Sequence, residues 1–158
     1  MIKRLCINEQ KIAEQVLDIQ KQAYRIEADL IGFDQIPPLM ETINELKHSE
    51  EEYIGLYEEE ELIGVLAYET ELLQDNTVSI TICKLVVHPG HFRKGIASIL
   101  INHLAVLSRN TSSLIVSTGA KNKPAIQLYE KLGFKEIGEI EINNRLTLKE
   151  FKKNIKVM

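Results

Sequence analysis

The chain has 158 residues, 44% of them hydrophobic and 27% charged, and carries a net charge of −4. That length and balance predict one globular domain, residues 1–158, with a substantial core, and exclude a disordered chain. The acidic balance gives no support to bulk nucleic-acid binding, which needs a basic face to displace counterions, and no apolar run approaches the ~20 residues that cross a bilayer.

The opening stretch MIKRLCINEQ has no apolar core of the kind a secretory signal needs, so a cytoplasmic protein with no nucleic-acid or membrane partner is expected. Cys6 and Cys83 are the only cysteines. Neither lies in a CxxC or Cys/His cluster, which points to no disulfide framework and no metal. Asn8 is placed to cap a first helix whose apolar positions Ile12, Val16, Ile19 and Ala23 follow helical spacing. Gly32 and the pair Pro37–Pro38 stop it, and a short second helix carries Leu39, Ile43 and Leu46 on one side. Tyr53–Tyr57 and Leu62–Glu69 read as strands joined by the acidic turn Glu58–Glu61. A third strand, Val78–Val87, ends at Pro89–Gly90.

From Gly95 the period changes, and Ile96, Leu100, Leu104 and Leu107 predict an amphipathic helix directly after the strand. Ser113–Ser117 follows as a short buried strand. Asn122 caps a helix bearing Ala125, Leu128, Tyr129 and Leu132 on one face, and Gly133 ends it. Phe134–Ile140 and Arg145–Phe151 read as a hairpin. This order predicts an α/β fold, a mixed and mostly antiparallel sheet with helices on both faces.

Chemistry concentrates in HPGHFRKGIASIL, His88 to Leu100. Amides in a strand–loop–helix junction have no intrahelical partner, and the helix dipole adds positive charge there, so an anionic phosphate is the natural guest. Gly95 and Ala97 let a bulky pyrophosphate approach the backbone, and Arg93 and Lys94 add cationic charge. The plainer reading is a loop whose glycines serve turn geometry alone. The nucleotide P-loop fits less well: Ile96 and Ala97 stand where Lys and Ser/Thr belong, and no GxGxxG pattern occurs.

LVVHPGHFRKGIASILINHL resembles motif A of the GCN5-related N-acetyltransferase (GNAT) family, and STGAKNKPAIQLYEKLGF, Ser117 to Phe134, resembles its motif B. The resemblance runs through the element order of the whole chain. It implies acetyl-CoA as co-substrate, with the pantetheine arm inserted beside the fourth strand and contacted by the main chain of Leu85 and Val87. The family pattern R/Q-x-x-G-x-G/A maps onto Phe92, Arg93, Lys94, Gly95, Ile96 and Ala97, with Phe92 in place of Arg or Gln. Ser98 adds a hydroxyl donor in the first turn, and Asn122 is either the helix cap alone or also a contact to the arm.

By the same resemblance Tyr129 is the general acid that protonates the departing thiolate; its plainer reading is a core tyrosine. A thiol near pKa ~8.5 is within range of a phenol near ~10. Where relatives carry a strand glutamate as base, this chain has Cys83 and Lys84, so Glu69 or His88 is the tentative base. Cys83 itself reads as a small core residue. The implied reaction is direct transfer of acetyl to a primary amine in a ternary complex, with the Val87 amide polarising the carbonyl. The acceptor pocket falls to Ala28–Leu39 and Ile140–Thr147. Acid-rich Glu50–Glu52 and Glu58–Glu61 read first as solvated turns. Two other classes stay open: a non-catalytic CoA-binding sensor or partner module, and a subunit role in which a sheet edge or helix face forms a homodimer.

Overall fold

The computed structural model of the chain describes residues 1–33, 37–107 and 109–156. Among these residues the strands are β1 (Ile2–Arg4), β2 (Glu52–Glu58), β3 (Glu61–Leu72), β4 (Val78–Val87), β5 (Thr111–Gly119), β6 (Lys135–Asn143) and β7 (Leu146–Asn154). They form a seven-stranded sheet in the order β1-β2-β3-β4-β5-β7-β6. Every neighbouring pair is antiparallel except β4–β5. A parallel pair needs a crossover, and the helix α4 (Ile96–Ala105) supplies it.

Helices cover both faces, as the element order predicts. One face lies under α1 (Gln10–Ile31) and the short helices α2 (Pro37–Met40) and α3 (Ile43–Lys47), where Val16, Ile19, Ala28 and Leu46 pack with Tyr53, Val65, Ala67 and Val86. The opposite face lies under α4 and α5 (Lys123–Lys131), where Leu100, Ile101 and Leu104 meet Leu66, Ile80, Leu114 and Phe151. Strand β3 feeds both cores by alternation: Val65 and Ala67 point to the first, Leu66 and Tyr68 to the second. A Cβ on Gly64 would lie 2.6 Å from Cγ2 of Ile96, so that glycine lets the start of α4 sit directly on the sheet.

Three sequence expectations need correction. Helix α1 is capped by Glu9, not Asn8, and no side chain bonds the cap. A turn in which Glu9 N–H donates to Cys6 (3.0 Å) carries Asn8 outside the helix and leaves the cap to the backbone. The strand β1 is absent from the sequence reading: three residues on a sheet edge are too few to show alternation. The helix between Gly32 and Lys47 is two helices, broken where Thr42 begins α3 with a capping box. Thr42 Oγ1 accepts from Glu45 N–H (3.1 Å) while Glu45 Oε1 accepts from Thr42 N–H (3.0 Å). That box fixes the linker on which Glu41 stands.

Candidate active site

Strand β4 outruns its pairing with β5. The parallel register ends at Ile82↔Val116, yet β4 continues to Val87. A bulge falls at the same place, because the register against β3 shifts between Ala67 and Tyr68 and leaves Cys83 outside the ladder. Bulges bend the strand that carries them, so β4 peels away from β5 and opens a wedge. His88 N–H donates to Ile63 of β3 (2.8 Å). Main-chain groups alternate between the two edges of a strand, so Leu85 and Val87 aim theirs at the wedge.

The wedge runs into the loop before α4. Pro89–His91 forms a single 3₁₀ turn capped by His88, whose Nδ1 accepts from Gly90 N–H (3.0 Å). Arg93 (φ 67°) and Gly95 (φ 74°) are both left-handed, and Gly95 is the N-cap of α4. The first intrahelical bond runs from Ile99 N–H to Gly95 (3.0 Å), so the amides of Ile96, Ala97 and Ser98 have no intrahelical partner. The cleft encloses about 710 Å³ and is lined by Leu85 and Val87, by Phe92, Arg93 and Gly95 to Ser98, and by α1 and α5.

Residues 13–134 match the Acetyltransferase (GNAT) family. The chain belongs to the GNAT family. It is 36% identical over 151 residues to the UPF0157 protein YqkA of Bacillus subtilis, covering 96% of this chain and 43% of YqkA, so it spans less than half of that relative. The ribosomal-protein-S18-alanine N-acetyltransferase of Escherichia coli superposes with a TM-score of 0.73 at 20% identity, covering 100% of this chain and 95% of that one. An aminoglycoside 6'-N-acetyltransferase complexed with coenzyme A gives 0.71 at 17% identity, covering 99% and 97%. The chain therefore has the fold of these acetyltransferases. Among the described residues no helix is long and apolar enough to cross a membrane.

Within this GNAT chain, Lys94 is the one expected cofactor-binding residue that does not line the cleft. Its ammonium donates to His91 Nδ1 (3.1 Å), and the other ring nitrogen of His91 contacts Glu61 Oε1 (2.8 Å). Asn122 lines the cleft and caps α5, its Oδ1 accepting from Ala125 N–H (3.3 Å). Its Nδ2 donates to Glu27 Oε1 (2.8 Å) and to Thr118 Oγ1 (3.3 Å). Tyr129 also lines the cleft, buried with its ring against Phe134 and Phe151. Burial, and then the charge of Glu27, pushes its hydroxyl well above the ordinary phenol range. A phenol held that way keeps its proton near neutral pH.

The two tentative bases lie elsewhere. His88 is spent on its turn, its ring edge-on to His91 at 5.5 Å, and it does not line the cleft. Glu69 is exposed beside Glu51 and Cys83, with the potential ligand atoms of the three within 4.8 Å of one another. Burial first, then Glu51 and Glu69, push the Cys83 thiol up to about 12. Such a thiol is a poor nucleophile near neutral pH.

Tyr24 and Glu27, on the face of α1 that meets the cleft, were not singled out from sequence. Burial raises Tyr24 most, with Glu27 and Tyr129 adding to it, while the Leu85 N–H facing its oxygen pulls the other way. The available signal was two polar residues three apart beside the buried positions Gln20 and Ala28. A second set, on the α1–α3 side of the sheet, centres on buried Lys84. Its ammonium pairs with Glu41 and donates to the Tyr53 hydroxyl (2.8 Å). Glu41 also accepts from Gln20 Nε2 (2.9 Å), and the Tyr53 hydroxyl donates to Glu51 (3.3 Å). The two stretches expected to form the acceptor pocket also meet. Arg145 on the hairpin donates to the Gly32 carbonyl (3.2 Å) and sits 5.6 Å from the Phe33 ring centre. Residues 34–36 of that pocket lie outside the described residues.

Proposed function

We propose that this chain transfers the acetyl group of acetyl-CoA to a primary amine by direct attack in a ternary complex. The observation that carries the reading is the edge of β4 at Leu85 and Val87 that β5 leaves without a strand partner, which leads into the open amides of α4 and lines one cleft with Tyr129. The fit to acetyl-CoA is chemical as well as spatial. An amide-bearing pantetheine arm needs strand-like main-chain partners, and a pyrophosphate needs convergent N–H donors at a helix start. Arg93 on the same wall adds positive charge.

In this reading the Leu85 and Val87 amides hold the arm and polarise the thioester carbonyl, which displaces the Tyr24 oxygen from the Leu85 N–H it now faces. Tyr129 gives its proton to the departing thiolate. Most of the rate enhancement comes from holding amine and thioester in register. The raised thiol of Cys83 supports transfer without an acyl-enzyme. Tyr129→Phe, which keeps the ring packing, should lower kcat about ten-fold or more while leaving the acetyl-CoA Kd nearly unchanged. Thiol release with a panel of amines measures the first, calorimetry the second. Parental turnover in that variant rejects the general-acid role.

A further inference from the structure

We propose that Glu27, on the cleft-facing side of α1, is the general base that takes the proton an ammonium acceptor must lose before it attacks. The proposal rests on the acetyl-transfer reading and names the group that reading lacks. Of the described residues lining the cleft, the two side chains able to take a proton near neutral pH are Glu27 and His91. His91 stands at the phosphate-loop end with its ring nitrogens engaged by Glu61 and Lys94. Glu27 stands on the α1 wall together with Tyr24, whose oxygen faces the Leu85 amide where the thioester carbonyl is to be held.

The carboxylate is also oriented. Asn122 Nδ2 donates to it at 2.8 Å, and Asn122 is itself clamped by Thr118 and by its capping bond to Ala125. Asn122 is thus a positioning residue for the base as well as a helix cap. Burial raises the Glu27 carboxyl above the usual range, and the bonds from Asn122 and Thr118 only partly offset it. A base shifted toward neutrality is better matched to an ammonium than an ordinary surface carboxylate. The groups that face it are Tyr24 of α1, Thr118 of β5, and Asn122 and Tyr129 of α5, with Arg93 and Lys131 also lining the cleft.

The proton balance closes with these residues. The ammonium gives one proton to the Glu27 carboxylate, and the freed nitrogen pair forms the C–N bond as the C–S bond breaks. Tyr129 protonates the thiolate, and the second nitrogen proton restores the Tyr129 hydroxyl through water. Glu27 releases its proton to solvent. One ammonium and one thioester become one amide, one thiol and one proton.

The test compares wild type, Glu27→Gln and Glu27→Asp in thiol release from acetyl-CoA with spermidine, phenethylamine and an alanyl peptide amide. Glutamine keeps an oxygen for Asn122, and thermal stabilisation by acetyl-CoA checks that the variants fold. Glu27→Gln should lose about 100-fold in kcat, keep acetyl-CoA affinity within about two-fold, and lose the acidic limb of the kcat–pH profile. That limb should lie above the ordinary carboxylate range in wild type and return in Glu27→Asp. Parental kcat and an unchanged profile in Glu27→Gln overturn the base while acetyl transfer stands. If wild type gains no stability from acetyl-CoA and releases no thiol with any of the three amines, acetyl transfer itself fails.

Discussion

On the α4 wall of the cleft the binding groups are main-chain amides, presented by a bulged strand, two left-handed loop residues and a helix start. On the α1–α3 side the polar contacts are between side chains brought together from far apart: Lys84 with Glu41, Lys84 with Tyr53, Glu27 with Asn122. The first kind of site tolerates many side chains, because geometry does the binding. The second depends on each partner, because removing one leaves the other unpaired in a dry place. The main-chain wall should therefore bend under substitution, and the side-chain networks should break.

The largest effect expected outside the reacting groups follows from that difference. Lys84 keeps only 9% of its side-chain exposure and Glu41 20%, so Glu41→Ala strands an ammonium that retains the Tyr53 oxygen alone. Removing one partner of a buried pair costs about 3–5 kcal/mol, and the partial exposure of Glu41 brings the expectation to about 2–4. Urea unfolding measures it. Replacing both partners together, Lys84→Met with Glu41→Leu, should recover much of the loss, as a hydrophobic pair needs no solvation. A single variant as stable as the parent would show that the network is decoration.

The same difference explains what could be read from the chain. The strand–loop–helix of the cleft was legible because its signal is local: a strand ending at Val87, a glycine at 95 and a helical period from Ile96 lie within a few residues. Motif B was legible for the same reason, since Asn122, Tyr129 and Gly133 belong to one helix and its ends. The Glu27–Asn122 contact was not, because its partners stand 95 positions apart, which no spacing rule connects. Lys84 and Glu41 are 43 apart and meet only once α1 and the Thr42 capping box have fixed the linker. Glu69 differs: a plausible carboxylate near a strand end, it lies on an exposed row and does not line the cleft.

A smaller effect tests the backbone side. Gly95 sits at φ 74° with open space where a Cβ would go, so Gly95→Ala introduces strain without a clash. The left-handed penalty is about 1–2 kcal/mol, which for a domain of this size lowers Tm by roughly 2–8 °C. If α4 shifts to relieve the strain, acetyl-CoA binding should weaken several-fold, by calorimetry. An unchanged Tm and Kd would mean that the loop's conformation is less tightly set than its dihedral angles say.

The smallest effect concerns the one position where the loop departs from its family's pattern. Phe92 is 44% exposed on the cleft wall, a ring where the motif resemblance leads one to expect Arg or Gln. If backbone amides carry the phosphates, Phe92→Arg adds a screened, half-exposed charge and tightens acetyl-CoA by about two- to five-fold, the order of 0.5–1 kcal/mol for a surface ion pair. The gain should shrink between low and high salt, because an added exposed charge is screened while the amides are not. A gain of a hundred-fold would mean that the side chain at this position, not the backbone, sets affinity. A gain within the small range leaves the main chain as the phosphate site and frees Phe92 for a contact of its own.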